Sequence, residues 1–484
     1  MKPHLLVTGA TGYIGGRLIP KLLEEGYPVR VLVRDPARLQ GRPWLKRVEI
    51  AQGDALDPES LRQALSGISM AYYLIHGRQG GKDSAGRDLV AARNFARAAE
   101  ESALERILYL GELVDPTAPL SPYLRARHET GYILRQGRVP VTEFRAGMIV
   151  GSGSLLFEMV RYLSELQPVF VCPSWFFTQA QPIAIRDVLS YLTLALSKPE
   201  TAGQLLEIGG ETVLTYAQML LEYSRLRGLK RWLIPTPIYA PHLSAYWIHM
   251  VTPVTYNALL PLIEGLHLES VVRDNLARQM LPEIEPLNFE TAARYALVKV
   301  EQGDVQTSWS DALVTSAGDA PPYLFKLEEG MFLEKRQLLL EVSPDAVFRS
   351  FTGIGGKRGW MYMDWAWALR GWMDKLVGGV GLRRGRRHPD EIRAGESLDF
   401  WRVESLTPNR YMRLRAEMKV PGGAWLEFLA EPQENGQTLL AQTAYFAPKG
   451  LFGYLYWYAM WPFHRFIFDG MIRKLAERAK AMQI

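Results

Sequence analysis

Cysteine is nearly absent from this chain of 484 residues. The single thiol, Cys172, excludes a disulfide framework or a cysteine-based zinc site within one chain, and a reducing compartment is the natural reading. It sits in the apolar run Val169-Phe170-Val171-Cys172, where a packed core thiol is expected rather than a nucleophile. No stretch of about 18 uninterrupted apolar residues occurs, so no spanning helix is expected. The eight histidines are scattered without ligand spacing, and no metal site is expected. The opening residues MKPHLLVTGATG run straight into a folded motif, which reads as no targeting leader and a cytoplasmic protein. Net charge is only +5, and the excess is local: 24 basic against 18 acidic residues from Phe325 onward. That bias is too weak to argue for nucleic acid without a recognised module.

What is present is an alternation. Apolar runs at 5–8, 29–33, 48–50, 71–75, 107–110 and 141–145 read as buried strands, and helical patterns at 15–25, 60–66 and 88–102 separate the earlier ones. Continuous apolar strands joined by helices predict a doubly wound parallel α/β sheet over residues 1–150. The pattern loosens over 151–320, where helices mix with proline-rich connections such as Ile234-Pro235-Thr236-Pro237; this region is expected to complete a substrate cleft. A small-residue and proline stretch at 315–322 reads as a linker. Beyond it, 325–484 changes character. Strands are expected at 337–342, 397–404, 411–419, 424–429 and 438–446, with a turn at Glu434-Asn435-Gly436 and a helix at 469–481, giving a separate α+β domain.

The strongest motif is Leu5-Leu6-Val7-Thr8-Gly9-Ala10-Thr11-Gly12-Tyr13-Ile14-Gly15. A strand enters a glycine-spaced turn and a helix follows at once. Gly9 permits the turn, Gly12 lets backbone N–H groups approach a pyrophosphate, and Gly15 allows close helix packing. Thr11, Tyr13 and Ile14 complete this edge of a dinucleotide site. The second strand ends Val33-Arg34-Asp35-Pro36-Ala37-Arg38, with no acid to bind a ribose 2′-hydroxyl. Arg34, with Arg38, suits a 2′-phosphate, so NADP is expected over NAD. Asp54 and Ala55, after the third strand, are placed to meet the adenine, and Ile75 closes the wall after the fourth.

Thr8–Gly15 residues, Arg34-Asp35, Gly53-Asp54 and Arg145-Ala146-Gly147 together resemble the short-chain dehydrogenase/reductase superfamily, in its extended and atypical branches. Those branches include isoflavone-reductase-like and nitrogen-regulator-like proteins and sugar-nucleotide epimerases. Pro182-Ile183-Ala184-Ile185-Arg186-Asp187-Val188 is similar to a segment they carry, and the resemblance covers about 4–230. A second resemblance covers about 325–482. Gly371-Trp372-Met373-Asp374, Gly381-Leu382-Arg383-Arg384-Gly385-Arg386, Asp399-Phe400-Trp401-Arg402-Val403 and Pro448-Lys449-Gly450 resemble an uncharacterised domain fused to such reductases in bacteria. The fold this implies is the helix grip of START and polyketide-cyclase-like proteins, a curved antiparallel sheet around a long helix and an apolar cavity.

The first resemblance implies a catalytic Ser, Tyr and Lys, with Tyr four residues before Lys. Here Tyr123 and Arg127 have that spacing, but arginine stands for lysine. Arginine can hold a ribose and stabilise a phenolate, yet it stays protonated and relays no proton. Leu110-Gly111-Glu112 offers no serine. Tyr123 is either a catalytic acid or a helix tyrosine packed on the cofactor. His76, after the fourth strand, is either a second donor to substrate or a wall of the cofactor site.

Two further runs are unusual. Arg383, Arg384, Arg386 and Arg387 read as a solvated loop balanced by Asp390, Glu391 and Glu396, in preference to an anion site. Residues 451–465 are densely aromatic; the wall of an apolar ligand cavity is preferred over a peripheral membrane contact. With the apolar stretch 239–266, they suggest a hydrophobic, lipid-like or quinone-like small molecule. The expected function is an NADP-dependent oxidoreductase acting on a hydrophobic carbonyl or enone. The alternatives are an NADP-binding redox sensor or ligand carrier, favoured by the missing serine and lysine, and a sugar-nucleotide epimerase, disfavoured by the missing lysine.

Overall fold

A computed structural model describes the chain apart from residues 1, 40–41, 76–83, 116, 253, 255, 303–322, 329, 377–391, 434–435 and 484. His76, the linker at 315–322, the arginine run and the turn residues Glu434 and Asn435 lie outside the described residues. The chain divides into two compact units, Met1–Ala317 and Gly318–Ile484.

In the first unit, seven parallel strands form one sheet. They are β1 (Leu5–Thr8), β2 (Val29–Val33), β3 (Glu49–Gln52), β4 (Met70–Tyr73), β5 (Arg106–Glu112), β6 (Val141–Ala146) and β7 (Leu205–Ile208). Their order is β7-β6-β5-β4-β1-β2-β3, so the chain reverses direction beside β1, between β1 and β4. In such sheets that reversal opens a crevice at the carboxyl ends of the strands. The sequence does not predict the seventh strand: Leu205–Ile208 is only four residues long, and its place is set by pairing with β6.

Strand alternation divides the core between the two faces. Leu5 and Val7 of β1 join a cluster with Leu18 and Leu22 of α1 (Tyr13–Glu24) and Val188 and Tyr191 of α6 (Ile185–Leu194). Leu6 points the other way, toward α2 (Pro58–Leu65), α3 (Ser84–Glu100) and α4 (Pro122–Gln136), through Leu61, Phe95 and Leu134. Burying each large side chain contributes about 1.5–3 kcal/mol, so neither face can be stripped singly without losing the sheet. Two of these helices start on local chemistry. Asp57 caps α2 with Pro58 next, and Ser121 caps α4 with Pro122 next.

The short α10 (Leu276–Met280) joins the first core through Ala277, and a second core of the same unit gathers α5 (Leu155–Leu166), α7 (Tyr216–Leu226), α8 (Pro241–Val251), α9 (Tyr256–Gly265) and α11 (Phe289–Gln302). Cys172 is buried within it, and burial pushes its thiol up to about 11, which keeps it protonated and unreactive.

The second unit holds a seven-stranded antiparallel sheet of Tyr323–Glu328, Met331–Leu340, Thr438–Pro448, Gly422–Pro432, Tyr411–Ala416, Trp401–Thr407 and Ser397–Leu398, in that spatial order. Among its described residues the α-helices are α12 (Pro344–Thr352), α13 (Asp364–Leu376) and α14 (Gly450–Ala481). The terminal helix is far longer than expected: it begins at Gly450 rather than at 469 and runs for 32 residues. Tyr454, Trp457 and Phe468 bury one side at helical spacing, but the opposite side is aromatic as well, which hides the period in the sequence.

Two predictions follow from this packing. A Cβ at Gly15 would collide with the Gly9 carbonyl, whereas one at Gly12 would approach only Gly9 O, at 3.2 Å. Gly15→Ala should therefore cost ~1–3 kcal/mol in urea unfolding, and Gly12→Ala less than about 1 kcal/mol. Equal losses would mean that helix and strand are not held this closely. In the second unit, burial first, then Arg336 and Arg370, push His464 down to about 4. The unfolded chain binds that proton near pH ~6.5, so this stability is present above ~6.5 and falls away toward pH ~4. Urea titrations across that range should show a loss on the order of 2 kcal/mol that His464→Phe reduces.

Candidate functional site

The site is built on the tight turn between β1 and α1. Gly9 has φ +71°, in the left-handed region, and a Cβ there would lie 2.5 Å from Leu74 O. Only glycine meets both demands. Gly12 N–H donates to Gly9 O at 2.9 Å and closes the turn. Thr8 Oγ1 donates to Tyr72 O and accepts from Leu74 N–H, each at 3.0 Å, so the ends of β1 and β4 are tied together. Gly12 is the N-cap of α1, without a side-chain cap and with no acidic residue in the first turn. A helix start of this kind presents N–H groups and positive dipole to an anion.

Residues around the turn divide into lining and support. Ile14 is part of the sheet core. The Tyr13 side chain is buried, its ring carries the Arg17 guanidinium 4.6 Å from the centroid, and its hydroxyl lies against Gly151. Arg17 Nη2 in turn donates to Ser152 O at 2.7 Å. Tyr13 and Ile14 therefore face inward and offer the turn their backbones. Thr11 is half-buried on the turn. Arg34 is exposed at the end of β2, and Arg38 is half-buried in the short helix Pro36–Leu39. Asp54 accepts the Leu56 N–H at 3.0 Å, which orders the loop after β3; the cap of α2 is Asp57. Ala55 is buried, and its carbonyl takes Asn94 Nδ2 at 3.3 Å. Ile75 packs on the second face of the sheet.

The tyrosine and arginine of α4 meet at the end of β5, around a residue the sequence reading noted only for not being serine. Tyr123 Oη donates to Glu112 Oε1 at 3.2 Å, and Arg127 Nη2 lies 3.4 Å from the same oxygen. Arg127 is buried and also donates to Leu110 O at 3.0 Å, while its own carbonyl accepts the Tyr109 hydroxyl at 2.9 Å. Burial works against the guanidinium charge, but Tyr109, Glu112 and Tyr123 outweigh it and hold Arg127 firmly protonated. Glu112 thus stands where the expected serine was sought. The signal for it was available, since a carboxylate at that strand end has to meet a cation one helix turn into α4.

A second charged cluster lies alongside. Glu143 of β6, almost fully buried, accepts from Arg145 Nε at 2.7 Å and pairs ionically with Arg135, Nε to Oε2 at 3.0 Å. Gly131 leaves room for it, since a Cβ there would sit 2.8 Å from the carboxylate oxygens. His128, 3.5 Å from Arg145, is held below its usual pKa by burial and by that arginine. This cluster binds α4 to β6 and leaves the crevice to Glu112 and Tyr123.

Residues 9–152 match the NAD(P)H-binding family, and residues 328–471 match a protein family of unknown function, DUF2867. The photosystem II assembly factor Ycf39 of Cyanophora paradoxa is 27% identical over 243 residues, 48% of this chain and 72% of that protein. The chloroplastic divinyl chlorophyllide a 8-vinyl-reductase of Oryza sativa subsp. indica is 28% identical over half of this chain, which spans 63% of the reductase. A putative dihydroflavonol 4-reductase of Synechocystis is 24% identical over 54% of this chain and 84% of its own length. Among solved structures, the triphenylmethane reductase of Citrobacter sp. shares the fold, with a TM-score of 0.50 and 18% identity over 61% of this chain and 99% of that one. The first part of this chain is an NAD(P)-binding Rossmann domain with atypical short-chain dehydrogenase/reductase and epimerase-like homologues, and a DUF2867 domain follows it.

Proposed function

We propose that the protein is an NADP-dependent reductase of a hydrophobic carbonyl, enone or quinone-like substrate. In this reading 1–150 holds the cofactor, 151–320 completes the substrate region, and 325–484 is a helix-grip-like ligand domain. The observation that carries it is the uncapped, acid-free start of α1 above Gly12, together with a tyrosine hydroxyl fixed at the end of β5, two strands along the same sheet. The dinucleotide fits: the turn has room above Gly12, and the second strand ends in an exposed Arg34 with no acid at Val33. When bound, NADPH supplies a hydride. This chain supplies position and a proton. Backbone N–H groups of the turn hold the pyrophosphate, Arg34 meets the 2′-phosphate, and Tyr123 Oη holds the proton that a substrate oxygen takes. Arg127 pairs with the same Glu112 oxygen that accepts the Tyr123 hydroxyl, so the three side chains are held together at the end of β5.

One observation favours the sensor or carrier reading. The Tyr123 proton already has an acceptor in Glu112, and Arg127 is engaged with Leu110 and Glu112 rather than projecting toward a ribose. Activity decides between the two.

Arg34→Ala should weaken NADPH binding by ~10-fold or more and leave NADH binding nearly unchanged, because a charge-assisted contact to the 2′-phosphate is worth about 1.5–3 kcal/mol. Fluorescence titration with both cofactors checks this, and equal losses would remove Arg34 from the phosphate site. Gly12→Val in the same titration should abolish binding of both while the fold persists.

Tyr123→Phe should keep cofactor affinity and lower NADPH oxidation ~10²–10⁴-fold against a panel of apolar ketones, enones and quinones. Full activity in the variant would place the donor elsewhere, with His76 next to be tested. No turnover by the wild type with any member, despite tight NADPH binding, would support the sensor reading.

A further inference from the structure

We propose that the second unit docks on an anionic lipid surface through the outward side of the first half of α14. The outward side of α14 changes character along its length. Over residues 451–466 it presents Phe452, Leu455, Phe463 and Phe466, which are 78%, 56%, 60% and 69% exposed. From Arg473 onward the same side carries Arg473, Lys474, Glu477 and Lys480. A helix packed only for stability would be polar on its outer side throughout.

The neighbouring helix repeats the pattern. Trp365 and Trp372 of α13, at i and i+7, are 64% and 58% exposed, with Leu369 between them. The two helices meet along a seam, where Arg370 Nη2 donates to Tyr456 Oη at 3.3 Å and the Trp367 and Phe468 rings lie 6.2 Å apart. At 100° per residue Trp365, Leu369 and Trp372 lie on the side of α13 opposite those contacts, whereas Phe452, Leu455, Phe463 and Phe466 share one outward side of α14, which is the surface proposed.

Charge selects the occupant. Between Gly450 and Phe468 the sole charged residue of α14 is the exposed Arg465. Arg370 lies at the seam, and Arg473 follows where the polar side begins. The one acid on the exposed side of α13, Asp364, stands at its first residue and accepts the Trp360 N–H at 2.6 Å. Aromatic and leucine side chains bordered by arginines match the boundary between acyl chains and anionic headgroups. The apolar side of α14 is about 24 Å long, and no helix among the described residues is long and apolar enough to cross a membrane, so α14 lies in the interface plane. Such docking does not depend on the reductase reading, although it would bring the protein to lipid-soluble substrates.

The full chain should co-sediment with phosphatidylcholine vesicles containing phosphatidylglycerol, and at least ~10-fold less with phosphatidylcholine alone. Added salt should weaken the binding. The triple variant Phe452→Ser, Phe463→Ser, Phe466→Ser should bind at least ~100-fold more weakly. Leu339→Ser, at an exposed position on the sheet, should change nothing. Hydrogen exchange on the wild type supplies a readout free of folding defects: vesicles should protect 451–466. Failure of the wild type to bind, unchanged binding by a folded triple variant, or protection elsewhere would each overturn the proposal. So would a wild-type dimer that the triple variant turns into a monomer, which would assign the face to a second copy of the chain.

Discussion

Everything in the first unit depends on one close approach of backbone to backbone, where Gly15 of α1 crosses the Gly9 carbonyl. No Cβ fits at that crossing, and Gly9 itself is pressed on Leu74 O with a left-handed φ. The helix start is therefore fixed against the ends of both β1 and β4, the two strands that border the reversal of the sheet. Local backbone geometry and global topology meet at one point. The same glycines that permit the approach leave an uncapped helix terminus facing the crevice, so the packing requirement and the binding surface have a single origin.

The far side of the crevice follows another rule, the compensation of buried charge. Arg127 is buried and would be costly alone; Leu110 O, Glu112 and the Tyr109 ring share it. Glu143 is likewise enclosed, between Arg135 and Arg145, in space that Gly131 leaves free. These networks fasten α4 to the ends of β5 and β6, and Tyr123 is positioned as a consequence. In the second unit, Arg336 plays a similar part between Glu334 of its own strand and Asp469 of α14, where the long helix crosses the sheet. Removing one member of any of these groups would leave a desolvated charge, which is more damaging than never having had the pair.

The amino-acid sequence by itself determined the parallel order of strands and helices over the first 150 residues, because strand runs buried on both faces and 3.6-residue helices are both short-range patterns. It also determined the glycine turn, since that motif carries its requirement in residue type and spacing, and the cysteine's role as core. What only the tertiary structure decided is long-range. Leu205–Ile208 becomes a strand because β6 has a free edge beside it. Glu112 acquires meaning because α4 brings Tyr123 and Arg127 to its carboxylate, 11 and 15 residues away in the chain. The aromatic run became a helix with two unlike sides, one buried on the sheet and one exposed, because a sheet can cover only one side of a helix and residue type alone does not say which.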